Sequence, residues 1–151
     1  MSLALLASIV VLGIAVVVFA VHFTGGSRAA HFETVFDAIA AYRGDHPQTD
    51  VLDGRLTRGR DAAFLRLATP DRVGFVAVFG QHFLTREIGA PDLSASVATD
   101  HAAIIVSLRD FTWKGGRYIF DDTAVASEVA SWFPPAALGA PRYHIGSVRH
   151  G

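Results

Sequence analysis

The sequence contains no cysteine and a single lysine, Lys114. Without cysteine the chain cannot form a disulfide, a zinc–thiolate site or a thiol nucleophile, which excludes those classes of secreted scaffold, metal centre and enzyme. The absence also agrees with a reducing compartment. Acidic and basic residues nearly balance, at a net charge of −1, and no block of cations occurs. Because nucleic-acid binding depends on many cationic contacts to phosphate, we expect no nucleic-acid partner.

Charged residues are also missing from one long segment near the N-terminus. Residues 3–23 are apolar apart from Ser8, Gly13 and His22. At about 1.5 Å of rise per residue, a helix of this length spans roughly 32 Å, close to the ~30 Å thickness of a bilayer's hydrocarbon core. The segment therefore predicts a single transmembrane helix over residues 3–23. The alternative is a cleaved secretory signal, which normally has a preceding cation and a shorter apolar core of ~7–15 residues.

The arginines that flank this segment indicate its orientation. No Arg or Lys precedes it, whereas Arg28 and Arg43 follow it. Cationic loops tend to stay on the cytoplasmic side, so we expect the N-terminus outside and residues 24–151 in the cytoplasm. The preference for Arg over Lys, with abundant Ala, Gly and Val, is typical of a bacterial chain from a GC-rich genome. The predicted location is the bacterial inner membrane, crossed once.

A second apolar pattern follows a short Gly-containing joint. Apolar residues recur at helical spacing at Phe32, Val35, Phe36, Ile39 and Tyr42. The spacing predicts a juxtamembrane amphipathic helix over residues 29–43. Its apolar stripe has two possible partners: the domain that follows, or lipid and a neighbouring subunit.

Beyond residue 50 the pattern becomes strand-like. Seven short apolar runs alternate with Gly, Pro and Asp turn signals, which is typical of an antiparallel sandwich or barrel. The predicted strands cover residues 51–58, 62–68, 73–79, 82–88, 94–98, 102–109 and 117–120. A final helix is predicted over residues 122–133, capped by Asp121 or Asp122 and stopped by Pro134.

Seven strands followed by a C-terminal helix that carries Trp132 resemble the pleckstrin-homology-like superfold over residues 50–133. The expected fold class is thus a single N-terminal transmembrane α-helix plus a small β-rich α+β domain. That domain would be a seven-stranded antiparallel PH-like barrel or sandwich, capped by the C-terminal helix. The resemblance implies a lipid-headgroup site at the first hairpin, formed by Arg55, Arg58 and Arg60. Neighbouring aspartates offset these cations, and lipid sites usually carry ~4–8 of them, so a lipid-binding module is the alternative function.

No motif indicates catalysis. The histidines lack the spacing of metal ligands on one helix or strand, and no glycine-rich phosphate loop or nucleophile elbow occurs. Asp100 and His101 are adjacent, and adjacent residues on a strand point to opposite faces. We therefore expect no enzyme and no catalytic, metal or cofactor site.

Two segments are candidates for protein contacts. Trp113 stands beside Lys114 and Arg117, an aromatic and cationic combination that is enriched at interfaces. The alternative is that the aromatic residues of this hairpin cover the edge of the core.

The second segment is the extended C-terminal tail over residues 134–151, with apolar residues at Leu138, Tyr143 and Ile145. It would lie in a groove of a partner, or else form a terminus without fixed structure. The expected function is a non-enzymatic accessory or assembly subunit of a larger membrane complex, such as a bioenergetic or transport machine. Its partners would be integral membrane proteins and the lipid bilayer.

Overall fold

The computed structural model describes residues 2–23 and 30–134. Three α-helices are present in these ranges: α1 (Leu3–Phe23), α2 (Val35–Asp45) and α3 (Thr123–Ser131). The strands are β1 (Val51–Leu56), β2 (Ala62–Leu67), β3 (Arg72–Phe79), β4 (His82–Gly89), β5 (Ala98–Asp100), β6 (Ala103–Ser107) and β7 (Gly115–Ile119). A short 3-10 helix, Ala90–Asp92, separates the first four strands from the rest.

Helix α1 confirms the predicted helix over residues 3–23. All its side chains up to residue 20 are exposed, on every face of the helix. The helix is long and apolar enough to cross a membrane, and a signal sequence near an N-terminus would have the same properties.

The strands form two antiparallel sheets. The first has the order β1-β2-β3-β4 and the second the order β5-β6-β7. The sheets approach each other where the N–H of Arg58 donates to the carbonyl of Ile119 (2.8 Å) and where Leu93 bridges Leu108. The prediction was a barrel or a sandwich, and among the described strands two separate sheets are present and no barrel is closed.

Two strands differ from their predicted positions. The fifth strand lies at Ala98–Asp100 instead of residues 94–98, because Leu93 and Ser94 pair instead with the end of β6. The seventh strand begins at Gly115, two residues before its predicted start. Gly115 has a φ of +87°, and an added Cβ would overlap the carbonyl of Val106. Glycine thus allows β7 to begin in a conformation that other residues disfavour.

The main core lies between the two sheets and against α3. The aromatic rings of Phe64, Phe75, Phe120 and Phe133 meet there, with Phe64 and Phe75 centroids 5.0 Å apart. Helix α3 begins where predicted, because the carboxylate of Asp122 accepts a hydrogen bond from the N–H of Val125 (2.9 Å).

Helix α2 covers the opposite face of the first sheet. Phe32, Ala38 and Tyr42 are buried against Ala63, Leu65, Leu67 and Val76. Of the two alternatives for this amphipathic helix, packing on the following domain is therefore confirmed. Phe36 is an exception, because 74% of its surface remains exposed.

Helix α2 packs closely because two glycines lie beneath it. The strand register aligns Gly54, Leu65 and Gly74 in one row across β1, β2 and β3. A Cβ on Gly54 would lie 2.8 Å from Val35, and one on Gly74 would lie 3.2 Å from the ring of Tyr42. The row thus forms a shallow trough in which α2 rests.

Candidate interaction surface

The most exposed aromatic side chain of the β domain (residues 30–134) lies in the loop between β6 and β7. Phe111 is 96% exposed. Its neighbours hold the loop in place: the carboxylate of Asp110 accepts hydrogen bonds from the N–H (2.8 Å) and the hydroxyl (2.6 Å) of Thr112. The other oxygen of Asp110 pairs with Arg86 at 2.9 Å.

These contacts also favour the ionised form of Asp110. The hydrogen bonds from Thr112, together with the positive charge of Arg86, lower the pKa of Asp110. Asp110 therefore stays ionised at neutral pH, and Phe111 is presented from a loop that is fixed at its base.

The predicted interaction residues Trp113, Lys114 and Arg117 have different environments. Trp113 stacks on Phe75, with ring centroids 4.4 Å apart, and packs against the main core. Trp113 therefore covers the edge of the core, as the alternative interpretation of this hairpin predicted. Lys114 is exposed, and Arg117 pairs with Asp100 at 3.0 Å. The three side chains therefore do not form one exposed cluster with Trp113 at its centre.

Sequence reasoning did not single out Phe111. A signal for the fixed loop was available, because an Asp side chain commonly accepts a hydrogen bond from the backbone N–H two residues further on. The tail residues Leu138, Tyr143 and Ile145 lie outside the described residues.

The three arginines of the first hairpin have different environments. Arg55 donates from Nε to one oxygen of Glu128 (3.0 Å) and from Nη2 to the other (2.9 Å), while its Nη1 reaches Asp53 (2.7 Å). Its guanidinium also lies 5.9 Å from the ring centroid of Trp132. Arg55 thus joins β1 to α3.

The charges of this network reinforce one another. Burial works against ionisation of Asp53, but the hydrogen bonds from Arg55 and from the N–H of Gly54 outweigh it and lower its pKa. The hydrogen bond to Asp53 is the main cause that raises the pKa of Arg55, and Glu128 adds to it. A bidentate arginine held in this way is not free to bind a headgroup.

Arg58 and Arg60 are exposed and held more loosely. Arg58 donates to the carbonyl of Asp121 at 3.2 Å, and its Nε lies 4.0 Å from the carboxylate of the same residue. Arg60 donates to the carbonyl of Glu33 at 2.9 Å. Two of the three predicted cations therefore remain accessible.

Asp100 and His101 do meet, contrary to expectation. His101 lies in a turn with a φ of +52°, which brings its Nδ1 to 2.8 Å from the carboxylate of Asp100. The prediction assumed an extended strand, and the left-handed turn removes that condition. Hydrogen bonds from His101 and then Arg117 lower the pKa of Asp100. The histidine side chain is exposed, so the pair lies on the open surface.

Two shallow clefts lie on the described surface of the β domain. One, of about 320 Å³, is lined by residues of both signs, including Arg86, Asp92, Arg109 and Asp110. The other, of about 480 Å³, lies beside Trp132 and the β2–β3 turn. No cluster of three or more potential metal-ligating side chains occurs in residues 2–23 and 30–134. Comparisons with protein-family models, curated proteins and solved structures give no match.

Proposed function

We propose that this chain is a non-enzymatic, single-pass membrane protein that serves as an accessory or assembly subunit of a larger complex in the bacterial inner membrane. In this proposal α1 crosses the bilayer with its N-terminus outside, and the β domain lies in the cytoplasm. The observation that carries the proposal is the exposure of Phe111 on a loop fixed by Asp110.

The anchor is supported by the exposure of α1. An all-round apolar helix is stable either within a large protein core or in lipid. The side chains of residues 2–20 have no such core around them, since all are exposed. Lipid can surround the helix, because its backbone polar groups are paired within it except at its two ends, which reach the interfaces.

The partner site is supported by the geometry of the Phe111 loop. A phenylalanine that leaves water gains about 25 cal/mol per Å² of apolar area, and a loop already fixed in place loses little entropy on binding. Aromatic residues that fill a partner's pocket are common binding anchors. The mixed-charge cleft next to the loop adds polar groups around the apolar contact, as at the rim of an interface. The partner would be an integral membrane protein with an apolar pocket at this height.

The test is the size of the native particle. Native membranes are extracted in mild detergent, and the mass and composition of the particle that carries this chain are measured. We expect a large stoichiometric particle for the wild type and loss of the partner in Phe111→Ser. Phe111→Trp is the matched control and should keep the particle. A wild-type chain that is alone in its micelle would overturn the proposal.

A lipid-headgroup module is the second candidate, favoured by the exposure of Arg58 and Arg60. Anionic vesicles separate the two functions. If headgroups bind here, replacing both Arg58 and Arg60 by Ala should abolish vesicle binding of residues 29–151. Arg55→Ala serves as the control: it should leave binding intact while costing about 1 kcal/mol of stability through lost contacts to Glu128. Weak binding of the wild-type fragment would instead favour the accessory subunit.

A further inference from the structure

The chain enters the β domain at one defined end. Phe32 donates its N–H to the carbonyl of Arg60 at 2.8 Å, and its ring stacks on Phe83 with centroids 5.4 Å apart. We name this the tether end: Phe32, the turn at residues 58–60 and the β3–β4 hairpin tip at residues 79–83. Strands β3 and β4 pair along their whole length, from Phe79 with His82 at the tether end to Arg72 with Gly89 at the opposite end. The β2–β3 turn, which precedes Arg72, therefore lies at the opposite end.

A short stretch of chain separates the tether end from α1. Six residues, 24–29, lie between Phe23 and Ala30 in the sequence. Since a chain extends by at most ~3.6 Å per residue, they reach at most about 25 Å. If α1 crosses a bilayer, Ala30, two residues before Phe32 of the tether end, must remain within that distance of the bilayer surface. The opposite end has no such constraint.

Exposed phenylalanines are concentrated close to this attachment. Phe79 is 76% exposed and Phe83 48%. They lie in successive cross-strand pairs, Phe79 with His82 and Val78 with Phe83, so their side chains are on opposite faces of the hairpin. Gly80, with a φ of +64°, forms the tight tip between them. A hairpin tip with an aromatic ring on each face can insert among the lipid headgroups with both rings in contact with lipid.

Phe36 adds a third exposed ring near the attachment, four residues after Phe32. Water-exposed aromatic rings are costly unless another phase covers them, and the headgroup region of a bilayer accepts such rings.

We infer that the β3–β4 hairpin tip, with Phe79 and Phe83, is seated in the headgroup layer of the same bilayer that α1 crosses. The inference rests on the membrane anchoring proposed above. It needs no anionic lipid, because apolar rings and not arginines make the contact. This contact would fix the orientation of the domain relative to the bilayer. The Phe111 loop, at the other end of the second sheet, would then face away from the membrane and toward a partner.

The absence of cysteine allows a direct test, since each introduced cysteine carries the only label. The full chain is reconstituted in phosphatidylcholine nanodiscs with a nitroxide at Gln81→Cys, Thr69→Cys or Ala15→Cys. Collision with oxygen and with a water-soluble nickel complex then reports depth. We expect Ala15→Cys to be deep, Gln81→Cys to lie at headgroup depth and Thr69→Cys, on the β2–β3 turn, to be in water.

A second set of variants tests the rings themselves. Replacing Phe79 and Phe83 by Ser should move the Gln81→Cys label into water, with a several-fold rise in nickel accessibility. The control, Phe111→Ser, removes a still more exposed ring at the other end of the domain and should leave the label at headgroup depth. Thermal unfolding of each variant checks that the domain stays folded.

The outcomes are distinguishable. A water-exposed Gln81→Cys label with a deep Ala15→Cys label overturns the headgroup contact of the hairpin tip and leaves the proposed membrane anchor α1 in place. A water-exposed Ala15→Cys label overturns both. If the Gln81→Cys label reaches headgroup depth only when anionic lipid is present, the contact through Phe79 and Phe83 is overturned. Headgroup binding by Arg58 and Arg60 would then explain the immersion.

Discussion

At the scale of single residues, glycines decide how closely α2 approaches the first sheet. A methyl group at Gly74 would meet Leu65 and Leu67 at 3.1 Å and the ring of Tyr42 at 3.2 Å. Because the neighbours come from both the sheet and the helix, they cannot all yield. We expect Gly74→Ala to lower the free energy of unfolding by about 1–3 kcal/mol, measured by urea denaturation.

Gly44→Ala is the control for this prediction. Gly44 lies in α2 with open space around a Cβ. Alanine there should raise stability by up to about 1 kcal/mol, because it lowers the entropy of the unfolded chain and favours the helix. Equal effects of the two substitutions would contradict the close packing described for α2.

Single residues also mark the limit of sequence reasoning. Periodicity cannot reveal that Trp113 stacks on Phe75 while Phe111 faces water, because both stand in the same short loop. Nor can it reveal that Arg55 is engaged by Glu128, which lies 73 residues away in the sequence. Such pairings depend on the tertiary arrangement of β1 and α3.

At the scale of elements, local patterns predicted most of the structure. Helices α1, α2 and α3 and strands β1 to β4 and β6 lie near their predicted positions, since each has a clear period or clear turn signals. The start of α2 moves from residue 29 to Val35, because Thr34 caps it through a reciprocal pair with Asp37. That Thr-x-x-Asp signal stands in the sequence. The division into two sheets needed non-local contacts, and the pleckstrin-homology-like resemblance stays a prediction.

The packing of α2 and of the residues before it leads to a prediction about shortened fragments of the β domain. Phe32, which precedes α2, and Tyr42, which lies within α2, belong to the core on this side of the sheet. Loss of one large core side chain costs about 3–5 kcal/mol, and whole domains are stable by only about 5–15 kcal/mol. A fragment of residues 50–151 should therefore lack a cooperative thermal transition by circular dichroism, whereas residues 30–151 should have one. A folded shorter fragment would show that α2 is dispensable.

At the scale of the whole molecule, two tyrosines make stability sensitive to alkali. Burial raises the pKa of Tyr42 and of Tyr118 from 10.0 to about 12. Both are neutral in the folded and unfolded chain below pH 10. Between pH 10 and 12 the unfolded chain loses these protons and the folded one does not. We expect stability to fall in that window, by on the order of 1 kcal/mol per pH unit for each tyrosine.

The measurement follows tyrosinate absorbance and circular dichroism together. The sequence has three tyrosines, so Tyr143→Phe leaves Tyr42 and Tyr118 as the only ones. Their ionisation should coincide with loss of secondary structure. Ionisation near pH 10 in a domain that stays folded would contradict the burial of both rings.

The pairing of Arg55 with Glu128 has a consequence for biosynthesis. The first strand of the domain must wait for a helix that is 73 residues further along the chain. At ~5–20 residues per second, the ribosome needs roughly 4–15 s to make that stretch. If α1 is the membrane anchor proposed above, it has left the ribosome before Glu128 is made, so the domain completes its folding only after the anchor is available to the bilayer.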